Sequence, residues 1–137
     1  MIFDIKTLAS INLLIQALLL GAVLVAAYVA KIRRQLIRHC KIIRVAVVVQ
    51  LLSIFLIMLP SMLGYLKSPG QVALKTETLI HHSLGILLVL LWVYINLAVM
   101  GRVRVLGRLA MYMRTALLIW LLAFLLGLHL YFRIYLS

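Results

Sequence analysis

Four stretches without a single Asp, Glu, Lys or Arg limit what this chain can fold into: residues 7–30, 45–66, 78–101 and 115–132. They run for 24, 22, 24 and 18 residues. At about 1.5 Å per residue, a helix over each is long enough to cross roughly 30 Å of hydrocarbon. Hydrophobic residues make up 67% of the 137 residues and charged ones 12%, so a soluble core of this size would have almost nothing polar to cover it. The reading is a single all-α integral membrane domain over residues 1–137. It is expected to be an up-down four-helix bundle with transmembrane helices at about 7–30, 45–66, 78–101 and 109–132.

The formal net charge of +12 raises the question of nucleic acid. The 14 basic residues, however, sit at the ends of the apolar runs, where they anchor helices and meet anionic lipid headgroups. No stripe of basic and aromatic residues follows one polar face, as a nucleic-acid platform would need. Nucleic acid is excluded as a partner, and anionic lipid at the basic connections is expected.

Charge also orients the chain. Lys31, Arg33, Arg34, Arg38, Lys41 and Arg44 lie between the first two runs, and Arg102, Arg104, Arg108 and Arg114 between the last two. The opposite side holds only Lys6, Lys67, Lys75 and Arg133, with both acids, Asp4 and Glu77. This bias predicts a multi-pass protein of the cell (plasma) membrane, with the two basic connections in the cytoplasm and both termini outside. The opening MIFDIK lacks a basic start and short apolar core, so the first run is expected to be a retained helix. Pro69-Gly70 predicts a turn after the second helix, and Pro60 a bend within it, read as a packing feature. Cys40 is the only cysteine, which excludes an internal disulfide or a thiolate metal cluster; it reads as lying in the first basic loop.

The helices are apolar on every side, so only their polar exceptions show which faces look inward. Asn12 and Gln16, Ser61 and Tyr65, His81 and His82, and His129 bring polar groups to the outer ends of all four helices. Gln50 and Asn96, at the inner end, are expected to pair, because a side-chain amide in lipid seeks a partner. The candidate cofactor-binding residues are His81, His82 and His129. Two facing imidazoles on neighbouring antiparallel helices can clamp a b-type haem, with Gly85 admitting the flat ring and Lys67, Lys75 and Arg133 level with its propionates. Copper is a second reading, although no Met or Cys stands at ligand spacing to select it. A structural or interfacial role, with Glu77 bonding His81, is the third. No carboxylate lies within a span and no catalytic grouping recurs, so the chain is not read as an enzyme on its own.

Three motifs carry a family likeness. RHCK places His39 between the first two helices, IHHSLG places His81 at the opening of the third, and IWLLAFLLGLHLY runs from Ile119 to Tyr131 in the fourth. From Lys31 onward the chain resembles the small four-helix membrane proteins linked to cytochrome oxidase assembly, the CtaM-like family. The resemblance implies a respiratory context: a small subunit or assembly factor of a larger membrane electron-transfer complex. The alternative is a purely structural accessory subunit that binds only protein and lipid.

Overall fold

The computed structural model describes residues 4–67 and 72–136. It is helical, with no strand among the described residues. The elements are α1 (Ile5–Lys31), α2 (Leu36–Ser53), a π-helical segment (Ile54–Met58), α3 (Leu59–Lys67), α4 (Val72–Val99) and α5 (Leu109–Tyr135). The π segment joins α2 to α3 without a break, so Leu36–Lys67 is one long rod. By length and composition four helices can cross a membrane: Ile5–Lys31, Leu36–Lys67, Leu74–Val99 and Leu109–Tyr135.

The second helix begins well before the expected Val45. The basic stretch contains no Gly or Pro, and flanking charge does not end a helix by itself. Arg38, His39, Cys40, Lys41 and Arg44 therefore sit on α2, and the loop is only residues 32–35. Arg34 supplies the reversal with a positive φ of 53°. His39, expected in a loop, instead ties two helices together: its Nδ1 lies 2.9 Å from the carbonyl of Ala26 on α1.

Pro60 does not break its helix. The Leu59 N–H bonds the Ile54 carbonyl across five residues, so the turn is widened just before the proline. Pro60 carries no N–H, and the ladder opens where it could not be continued. The Pro69-Gly70 turn lies outside the described residues.

The connection between α4 and α5 closes on glycine. Gly101 takes φ +71° while the Arg102 N–H bonds the Leu97 carbonyl at 2.9 Å, which satisfies orphan carbonyls at the end of α4. Two tyrosines hold the rest: the Tyr94 hydroxyl donates to the Arg104 carbonyl at 3.3 Å, and that of Tyr112 to the Leu106 carbonyl at 2.6 Å.

The main packing runs α2 on α1, α1 on α5 and α5 on α4, leaving α4 in little contact with α2. The core lies where Trp92 and Trp120 meet edge-on, 4.8 Å between centroids, among Leu19, Val23, Ala46, Leu88 and Ala116. Ala26 at 0% exposure and Ala46 at 2% let helix backbones approach closely. Large apolar side chains such as Leu14, Leu18, Leu56, Leu90 and Leu122 point outward instead.

Candidate functional site

A cavity of about 170 Å³ lies among all four long helices, on the side of the tryptophan pair nearer the chain termini. Its floor is Gln50, Leu88 and Trp120, and its rim carries Ala9, Tyr65, Tyr131 and Tyr135 near the helix ends. It is open rather than sealed. α4 contributes Thr78, His81, His82, Gly85 and Leu88, and α5 contributes Trp120, Ala123, Phe124, Gly127, Tyr131 and Ile134. Both sets recur at three- and four-residue steps, so each is one helical face. The π segment brings Ile54, Ile57 and Met58 to the same wall, which makes Pro60 part of what shapes the cavity.

Histidine 81 is fitted closely to α5. A Cβ built on Gly127 would stand 2.8 Å from the His81 Cε1, so the imidazole occupies space that only glycine leaves free. Its Nδ1 is buried without a hydrogen-bond partner. That nitrogen can donate or accept, according to the tautomer of the ring. His82 is occupied differently: its Nδ1 lies 2.8 Å from the Thr78 carbonyl of its own helix. The two rings are perpendicular, 5.2 Å apart.

Three buried polar atoms on this wall lack partners: His81 Nδ1, Gln50 Oε1 and Trp120 Nε1. Gln50 is only 5% exposed and Trp120 3%, so neither is satisfied by bulk solvent. Opposite them, Asn12, Gln16 and Ser53 form a network. Ser53 Oγ donates to Asn12 Oδ1 at 2.5 Å and accepts from Gln16 Nε2 at 3.4 Å. At the rim, the Ser10 and Tyr131 hydroxyls share a hydrogen bond of 2.6 Å.

The sequence-designated residues divide. Asn12, Gln16, Ser61, Tyr65, His81 and His82 all line the cavity, and so does Gly85, where an added Cβ would meet nothing within 4 Å. His129 does not line it. It falls about 200° around α5 from Gly127, stands 51% exposed, and its Nε2 lies 3.5 Å from Glu77 Oε2. Glu77 thus meets His129 rather than His81. A haem clamped between His129 and His81 or His82 does not fit this placement, because the imidazoles look to different sides of α5. Among the described residues no group of three His, Cys, Asp or Glu side chains is set to hold a metal ion.

The expected pairing of Gln50 with Asn96 is replaced by another arrangement. Asn96 Nδ2 donates to the Trp92 carbonyl of its own helix at 2.9 Å and lines a separate groove with Val47 and Leu51. Gln50 turns into the cavity. Reading the sequence also missed Ser53, a small hydroxyl in an apolar run, and Trp120, which looks like an ordinary core residue. The α5 repeat of 120, 123, 127 and 134 was the available signal. No family model, curated protein or solved structure matches the chain.

Proposed function

We propose that this chain is a small, non-catalytic subunit or assembly factor of a respiratory electron-transfer complex in the plasma membrane. In this reading it is an up-down four-helix bundle with both termini outside and the two basic connections in the cytoplasm, where they meet anionic lipid. One observation carries the membrane part. The large side chains facing away from the bundle are apolar on all four long helices, as Leu18, Leu56, Leu90 and Leu122 are, while buried polar groups gather in one interior cavity. The respiratory part rests on the likeness around His39, His81 and Ile119–Tyr131 to the CtaM-like proteins.

The little contact between α2 and α4 supports membership of a larger assembly. The groove there, lined by Val47, Leu51, Val89, Val93 and Leu97, is almost wholly apolar and fits a partner's transmembrane helix. The same seam supports the second reading, a structural accessory subunit that needs no cofactor. Haem has no further part in the proposal, given where His129 stands.

Affinity purification of the tagged chain from native membranes in mild detergent tests the assignment. Recovery of oxidoreductase subunits in fixed proportion supports it. Recovery of the chain alone, from membranes in which respiratory complexes stay intact, removes the respiratory part.

A further inference from the structure

The cavity has the size and chemistry of a site for one ring. We propose that it binds the reduced head group of a membrane quinone, a single six-membered ring carrying hydroxyls and an apolar tail. The inference uses the membrane part of the reading above and is independent of its respiratory part.

Size comes first. About 170 Å³ is close to the volume of roughly 150 Å³ that accommodates one benzene ring in an apolar protein interior. It lies below the 300 Å³ or so at which pockets for larger ligands begin. A single aromatic ring fits this volume.

Chemistry selects the ring. The three unpartnered buried atoms are an acceptor, Gln50 Oε1, a donor, Trp120 Nε1, and a ring nitrogen, His81 Nδ1, that does either according to tautomer. Leaving such atoms unpaired in a low-dielectric interior is costly, so a ligand that meets them gains what the apo wall forgoes. A quinol has two hydroxyls, each able to donate one hydrogen bond and accept another, so between them they can serve Gln50 Oε1, Trp120 Nε1 and either tautomer of His81. The oxidised quinone only accepts, and leaves Gln50 Oε1 without a donor. Leu88, Ile54, Ile57, Met58 and Phe124 form the apolar part of the wall. α4 makes little contact with the rod formed by α2, the π segment and α3, so the seam between them gives an apolar tail its way out into lipid.

The full-length chain in mild detergent is titrated anaerobically with a benzoquinol bearing a short alkyl tail. Quenching of its two tryptophans, one of which is in the cavity wall, provides the readout. Saturable binding at one site per chain is expected, with the oxidised form at least about fivefold weaker. Gln50→Leu and His81→Ala should each weaken quinol binding about tenfold, while His129→Ala leaves it unchanged. Should His81→Ala lose its helical circular dichroism, Gln50→Leu decides. Non-saturable quenching, an alkyl alcohol of equal tail binding as tightly, tighter binding of the quinone, or unchanged affinity in Gln50→Leu each overturns the proposal. An interior that holds only water gives the first of these results. Quinol binding without co-purifying respiratory subunits keeps this site and discards the respiratory assignment; the converse result does the reverse.

Discussion

The imidazole of His81 occupies the place where a side chain at position 127 would begin, with Cε1 only 2.8 Å from a Cβ built on Gly127. A histidine on α4 and a glycine on α5 are therefore one fitted pair. Gly127→Ala must displace either the ring or α5. Overpacking of this kind costs about 1–3 kcal/mol. Thermal unfolding in detergent should show that loss, and His81→Ala in the same chain should recover most of it. If the two substitutions simply add, the pair is not coupled.

Ser53 joins the first two long helices by serving Asn12 and Gln16 at once. Ser53→Ala leaves both amides seeking partners in the interior, at a cost of about 0.5–2 kcal/mol. Ser83 is a suitable control, since its hydroxyl is exposed and bonds only the Leu79 carbonyl of its own turn. Unfolding curves for the two variants should separate. Equal loss in both would mean that the network carries no stability of its own.

Charge-free runs made the four long helices legible, because each is long and apolar enough to cross a membrane as a helix. Their facing was legible only where polar residues interrupted them. Asn12, Gln16, Ser61, Tyr65, His81 and His82 were found this way, and all line the cavity. Legibility failed where a polar side chain satisfies itself. Asn96 bonds its own Trp92 carbonyl, so depth alone said nothing about Gln50 as its partner. It failed again at His129, which matches His82 in depth but sits on the wrong side of α5. Leu36 as the start of α2 was hidden because basic residues mark a membrane boundary and not a helix end.

Topology can be measured on residues that the structure leaves exposed. In a Cys40→Ser background, single cysteines at Arg34 and Arg104 should resist an impermeant thiol reagent in intact cells, and one at Lys67 should react. All three positions are exposed, so burial in the protein would not explain protection. The bias of basic residues toward the connections around Arg34 and Arg104 predicts this orientation. Labelling at Arg34 with protection at Lys67 would turn the molecule over.

A low-spin haem held between α4 and α5 needs an imidazole from each helix directed at one iron. His81 points into the cavity, with its Nδ1 unpartnered. His129 stands half-exposed on another face of α5, 3.5 Å from Glu77. Joining them would require α5 to turn about its axis, which would pull Gly127 from beneath His81 and Trp120 from its contact with Trp92. The purified chain should accordingly show no sharp reduced-minus-oxidised band, even after incubation with haemin and removal of the excess. His129→Ala should change the unfolding midpoint little, since an exposed contact of this kind is worth at most about 1 kcal/mol. A six-coordinate low-spin spectrum in the wild-type chain that vanishes in His129→Ala would contradict this placement of His129, and the α4–α5 packing with it.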